Sequence, residues 1–126
     1  MTDLTRLLSR YSRVVSALLL VLMTGALFIG GAQPFAVNLI PAPWDKFAHI
    51  ALFALIGAAI GLASGRSGVR MVLLAVAGAL LLGLVDEWHQ GFLPGRNAGM
   101  GDLAADLLGA LAGALGLAFY QRGRTG

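Results

Sequence analysis

The sequence predicts an all-α membrane protein, a four-transmembrane-helix bundle with its N and C termini in the cytoplasm. Three observations lead to this prediction: an apolar composition, four long apolar runs, and an uneven distribution of basic residues between the loops. The chain has 126 residues, of which 58% are hydrophobic and only 12% are charged. Its mean hydropathy of +0.82 exceeds what a soluble domain of this size needs. Lipid is therefore the expected solvent for most of the chain.

The first span is predicted over residues 14–32, a run without a charged residue. At about 1.5 Å per residue, this run can cross a hydrocarbon core of roughly 30 Å. Arg6, Arg10 and Arg13 precede it and small residues end it, which also fits a cleaved signal peptide. The apolar run is longer than the roughly 7 to 15 residues typical of such a peptide, which favours a retained anchor.

Three further spans are predicted, over residues 47–64, 69–91 and 102–120. Pro41 and Pro43 end any preceding helix and can open the second span. Gly95 and Gly99 make the loop between the third and fourth spans flexible. The spans and their short loops leave no room for a soluble domain, so residues 1–126 are predicted to form one transmembrane domain.

Basic residues near the span ends predict the orientation, because such residues tend to stay in the cytoplasm. Only Lys46 and Arg96 fall on the side opposite the termini. The side of the termini holds all the others: Arg6, Arg10, Arg13, Arg66, Arg70, Arg122 and Arg124. Both termini are therefore predicted to be cytoplasmic, in a multi-pass protein of the cell membrane. The scattered basic residues are explained by topology, and no nucleic-acid partner is expected.

This topology brings polar residues from three helix ends to the outer face. Residues three or four apart share a helix face, which aligns Asp45 with His49 and Asp102 with Asp106. Charged groups near lipid usually face a bundle interior or a wet cavity, so a shared pocket is predicted. The candidate ligand-binding residues are Asp45, Lys46, His49, Glu87, Gln90, Arg96, Asp102 and Asp106.

Simpler interpretations exist for several of these residues. Asp45 and Asp102 are placed to act as N-caps of the second and fourth spans. Glu87 and Arg96 are close enough in sequence to form an interfacial ion pair. His49 has the alternative role of a neutral residue in helix packing. The faces of His49 and Asp106 continue into small residues, which are expected to let the helices approach closely: Gly57, Gly61, Gly65, Gly109 and Gly113.

The polar pattern resembles that of the VanZ-like family over about residues 44–113. The residues that carry the resemblance are Asp45, Lys46, His49, Phe53, Gly57, Glu87, Gln90, Phe92, Pro94, Gly95, Arg96 and Asp102. The resemblance implies a small polytopic membrane protein of the cell envelope. The family is named for an accessory protein that lowers susceptibility to the glycopeptide antibiotic teicoplanin. The family pattern usually has Asn four residues after the Asp that follows Pro-Gly-Arg, where this chain has Asp106.

The favoured hypothesis is recognition of an envelope amphiphile at the outer leaflet: a lipid-linked wall precursor, a phospholipid or a lipoglycopeptide. Arg96 and Lys46 are expected to hold a phosphate or carboxylate. Trp44, Trp88 and Phe92 are expected to flank the apolar part of the ligand. Antibiotic resistance is the associated biological role that the family resemblance implies.

Two alternatives stay open. A membrane enzyme would use His49 and the clustered carboxylates for acid–base or metal-assisted chemistry on a lipid headgroup. A transporter is disfavoured, because the inner half of the predicted bundle lacks ionisable residues. The absence of Cys removes thiolate chemistry. No metal and no cofactor is predicted, and the GxxxG spacing of Gly109 and Gly113 is compatible with a homo-oligomer.

Overall fold

The structure is a computed structural model that describes residues 2–125. Within that range the chain is helical and contains no strand, which confirms the predicted all-α fold. The long helices are α1 Asp3–Gly25, α2 Trp44–Ser64, α3 Gly68–Gln90 and α4 Met100–Thr125. A π-helical segment, Ala26–Gly30, continues α1, and a 3-10 turn, Pro34–Ala36, lies in the loop before α2.

Each of the four long helices is long and apolar enough to cross a membrane, which confirms the four predicted spans. Large apolar side chains are exposed on the outside of the bundle, among them Leu18, Leu55, Leu81 and Leu108. Such a continuous apolar exterior would be unfavourable in water and suits contact with lipid tails. The molecule is thus a multi-pass membrane protein.

The first helix starts earlier than the predicted span of residues 14–32. The continuous helix runs over Asp3–Gly30, and the side chain of Thr2 caps its start by accepting a hydrogen bond from Thr5 N at 3.4 Å. The predicted span counted only the uncharged run, and the helix that contains most of this run is longer at its start. Arginines on exposed positions of α1 do not interrupt its backbone hydrogen bonds, so the helix extends through them.

The closest helix contact joins α2 to α4, and glycine makes it possible. A Cβ atom on Gly109 would overlap the backbone carbonyl of Ile50, and one on Gly113 would overlap that of Ala54. A Cβ on Gly57 would lie 2.8 Å from Ala110 O. The expectation that these small residues bring the two backbones together is confirmed. In lipid, close packing of this kind is a main source of helix association.

The apolar core lies between α2, α3 and α4. Its buried residues are Phe53 and Ile56 from α2, Met71, Ala75 and Ala79 from α3, and Ala110 and Ala114 from α4. Helix α1 lies against α2 and buries only Ser16. The three helices that carry the polar candidates therefore form the tightly packed part of the bundle, and α1 lies at its side.

Candidate functional site

The polar candidates collect at one end of the bundle, where α2 and α4 begin and α3 ends. We call this the polar end. A cavity of about 440 Å³ opens there, between these helix ends and the loop that precedes α2. Six of the eight predicted residues line it: Asp45, Lys46, His49, Gln90, Arg96 and Asp102. Its apolar wall comes from α2 and the preceding loop, with Leu39, Ile40, Pro41, Ala48 and Leu52.

Lys46 connects the first turns of α2 and α4. Its Nζ atom donates to Asp45 Oδ2 at 2.8 Å and to Asp102 Oδ1. The helices begin at Trp44 and Met100, so the two aspartates lie inside the first turns and are not N-caps. The positive charge of Lys46 is offset by two carboxylates. Asp45 keeps its other oxygen, Oδ1, without a hydrogen-bond partner among residues 2–125.

His49 is fixed by Asp106. The Nδ1 atom of His49 lies 2.7 Å from Asp106 Oδ1, and the Asp106 side chain is fully buried. The imidazole also stacks on Phe53, with ring centroids 6.3 Å apart. Asp106 thus engages Nδ1, which donates when this carboxylate is ionised, and Nε2 is the other ring nitrogen of a side chain that lines the cavity. Asp106 itself lies behind His49 and does not line the cavity.

Gly83 of α3 makes room for this carboxylate. A Cβ atom on Gly83 would lie 2.8 Å from Asp106 Oδ2, which is closer than real carbon contacts allow. That oxygen is buried and has no hydrogen-bond partner within residues 2–125. Sequence reasoning did not single out Gly83, because a glycine in an apolar helix gives no indication of which neighbour it accommodates.

Asp86 is a second buried carboxylate that sequence reasoning did not select. It is 1% exposed and accepts a hydrogen bond from Gln90 Nε2 at 2.6 Å. The spacing of four residues between them was the available signal. Gln90 lines the cavity, as His49 does. Two buried aspartates thus each hold one cavity-lining polar side chain in place.

Arg96 does not pair with Glu87, so the ion-pair interpretation is wrong. Glu87 instead accepts a hydrogen bond from the backbone N–H of Gly99 at 2.5 Å, away from the cavity. Arg96 is half-buried, and its Nη1 atom donates to Ala36 O at a long 3.4 Å. Its Nε atom is buried and unpartnered among the described residues. No carboxylate of residues 2–125 lies within ion-pairing distance of this guanidinium.

The aromatic residues of the polar end lie outside the cavity. Trp44, Trp88 and Phe92 are each more than 60% exposed, and none lines the cavity. Trp88 and Phe92 contact each other edge to face, with centroids 5.2 Å apart. That these rings flank the apolar part of a ligand stays a prediction. They are placed to contact the lipid interface around the site, where such rings are favoured.

The cavity combines an unpaired cation, a neutralised lysine, an oriented imidazole and a primary amide beside an aliphatic wall. This set can bind an anion, donate to and accept from hydroxyl or amine groups, and transfer a proton at His49. Across residues 2–125, no three His, Asp or Glu side chains are arranged to hold a metal ion.

Four membrane-spanning helices with a polar cavity at one end define a small multi-pass membrane protein. The sequence model of the VanZ/LLP1 family matches residues 5–121, nearly the whole chain, and the protein belongs to that family. The predicted resemblance is confirmed. Neither a curated protein sequence nor a solved structure matches the chain.

Proposed function

We propose that the protein recognises the polar head of an anionic amphiphile of the cell envelope at the polar end of its bundle. The observation that supports this proposal best is the Arg96 guanidinium, which lines a cavity with an aliphatic wall and has no carboxylate partner among residues 2–125. A volume of about 440 Å³ lies within the range of small-molecule sites, roughly 300 to 1,000 Å³. The cavity suits the polar head of an amphiphile.

The cavity residues have different roles in binding the proposed ligand. Arg96 supplies the cation, and a guanidinium can hold a phosphate or carboxylate with two parallel hydrogen bonds. Lys46 contributes less charge to a ligand, because Asp45 and Asp102 already bind it. His49 and Gln90, which line the cavity, contribute hydrogen bonds to the head. The sequence predicted that Arg96 and Lys46 together hold the anion, and this assignment gives that role to Arg96 alone.

The candidate amphiphiles are a lipid-linked wall precursor, a phospholipid and a lipoglycopeptide. All three present a polar, charged or sugar-bearing head beside an apolar chain. Access from the outer leaflet depends on the predicted orientation in the cell membrane, with the polar end facing outward. A link to teicoplanin susceptibility fits the lipoglycopeptide candidate, and it is part of the proposal through the family resemblance.

The proposal is tested by thermal unfolding of the purified protein in detergent with and without added anionic phospholipid, phosphatidylglycerol. Wild type is expected to unfold at a higher temperature with the lipid, and Arg96→Gln is expected to lose this shift. Arg70→Gln, an exposed arginine in the first turn of α3, is the matched control and should keep it. An equal shift in Arg96→Gln and in wild type would overturn the proposal.

The His49–Asp106 pair favours a second candidate function, acid–base catalysis on a bound headgroup. A buried carboxylate that orients an imidazole is the arrangement in which His acts as a general base. Water would be the nucleophile, since no Ser or Thr lines the cavity. Incubation of the protein with defined lipid vesicles, followed by mass spectrometry, tests this candidate. A hydrolysed product that His49→Gln fails to form would support it, and an unchanged lipid would contradict it.

A further inference from the structure

A second cavity of about 370 Å³ lies on the other side of Arg96. It is lined by the segment that follows α1 and by the turn that follows α3. Its lining is mainly apolar and includes Ala32, Pro34, Val37, Leu93 and Pro94. Two residues, Gly95 and Arg96, line both cavities. The guanidinium therefore stands at the boundary between a polar and an apolar compartment.

Close contacts hold Arg96 at this boundary. A Cβ atom on Gly31 would lie 3.4 Å from Arg96 Nη2, so the segment after α1 approaches the guanidinium closely. Gly95 has a φ of +75°, a conformation that favours glycine, and a Cβ there would lie 3.3 Å from Val37 Cγ1. The turn after α3 and the segment after α1 thus pack against each other next to Arg96.

The lining of the second cavity has few polar side chains that could bind a polar ligand. Gln33 is the polar residue of its lining besides Arg96, and its Nε2 atom already donates to Ile29 O at 2.9 Å. An apolar group would be favoured there, because a polar group placed without a partner loses its hydrogen bonds to water. An anion at Arg96 would then have polar surroundings on one side and apolar surroundings on the other.

We propose that the second cavity binds the first segment of the amphiphile's alkyl or isoprenoid chain while Arg96 binds the anionic group next to it. This inference rests on the proposed function and specifies its ligand. The ligand is an anion directly attached to a chain, with Arg96 at the junction. The charge of Arg96 at the mouth of the apolar cavity and the two residues shared with the first cavity support this occupant.

Short alkyl phosphates test the inference, because they carry the anion and a chain of chosen length and are soluble. Binding of methyl, butyl and hexyl phosphate would be measured by calorimetry on protein in phosphatidylcholine nanodiscs, with empty nanodiscs subtracted. Affinity is expected to rise with chain length by up to about fourfold per methylene, the gain from burying one CH₂ group. Arg96→Gln is expected to lose binding of all three compounds.

Larger side chains in the second cavity should abolish the dependence of affinity on chain length and leave binding of the anionic group unchanged. Ala32→Phe and Leu93→Trp are two independent variants that place bulk in this cavity. Each is expected to weaken the binding of hexyl phosphate at least tenfold and to leave the binding of methyl phosphate unchanged. Ala112→Phe, at an exposed position of α4, is the matched control and should behave as wild type.

The outcomes separate the two proposals. Binding that depends on Arg96 but is independent of chain length would overturn the assignment of the second cavity and leave the proposed function standing. The assignment is also overturned if both filled variants retain methyl phosphate and still bind hexyl phosphate as tightly as wild type. Failure of wild type to bind any of the three phosphates would overturn both proposals.

Discussion

His49 Nδ1 and Asp106 Oδ1 lie 2.7 Å apart, so one hydrogen bond joins the start of α2 to α4 beside the cavity. The Asp106 side chain is fully buried, and Gly83 of α3 leaves the space that its second oxygen occupies. Three helices thus converge on one carboxylate. The orientation of a cavity-lining imidazole depends on this convergence.

Replacement of Asp106 by Leu is expected to destabilise the protein by about 1–3 kcal/mol, because the partly buried His49 would lose its hydrogen-bond partner. Asp106→Asn should cost less than about 1 kcal/mol, since its amide oxygen can still accept from His49 Nδ1. Unfolding of both variants in a detergent titration provides the measurement. Equal stability of Asp106→Leu and wild type would show that the bond does not stabilise the bundle.

Gly113→Ala is expected to weaken the contact between α2 and α4. The added Cβ atom would overlap the backbone carbonyl of Ala54, so the helices must move apart, at a cost of about 1–3 kcal/mol. Gly116→Ala is the matched control in the same helix, because a Cβ there has nothing within 4 Å. Unfolding free energies of the two variants are compared. A Gly113→Ala protein as stable as Gly116→Ala would contradict the described packing.

Lys46→Met should leave Asp45 and Asp102 without the cation that links them, and we expect a loss of about 1–2 kcal/mol. The double variant Lys46→Met, Asp102→Asn removes one of the two carboxylate charges and should recover part of the loss. Unfolding measured for the single and double variants tests this coupling. No recovery in the double variant would mean that the loss does not come from the carboxylates left without their cation.

The predicted orientation can be tested directly, since the chain contains no Cys. Gly123→Cys lies near the C terminus, and Ala98→Cys lies at an exposed position of the α3–α4 loop. In intact cells, a membrane-impermeant maleimide is expected to label Ala98→Cys and not Gly123→Cys. Labelling after lysis controls for reactivity of both cysteines. The reverse pattern in intact cells would place the polar end in the cytoplasm.

The fold could be predicted largely from the sequence, because long apolar runs in lipid leave the helix as the available structure. The GxxxG spacing of Gly109 and Gly113 also predicted a close helix contact, which the structure has between α2 and α4. The start of α1 could not be fixed in the same way. Hydropathy reports where lipid can surround a helix, whereas the helix itself ends where its backbone hydrogen bonds end.

The site was predicted in part. Helical spacing predicted that Asp102 and Asp106 share one face of α4. In the structure Asp106 forms a hydrogen bond with His49, and Asp102 accepts one from Lys46. Spacing did not indicate that Asp86, and not its neighbour Glu87, faces the bundle interior. Consecutive helical residues point about 100° apart, so the choice depends on the rotation of α3, which tertiary packing sets. The partner of Glu87 depends on the path of the following loop, which no local pattern determines.

Native mass spectrometry of the gently solubilised protein tests the central claim most directly, with wild type, Arg96→Gln and the control Arg70→Gln measured side by side. The account predicts that wild type and Arg70→Gln retain an anionic lipid or lipid-linked precursor, and that Arg96→Gln loses it. The same spectra report the number of subunits. Equal retention of the same lipid by Arg96→Gln and wild type would contradict the claim that Arg96 anchors an amphiphile at the polar end.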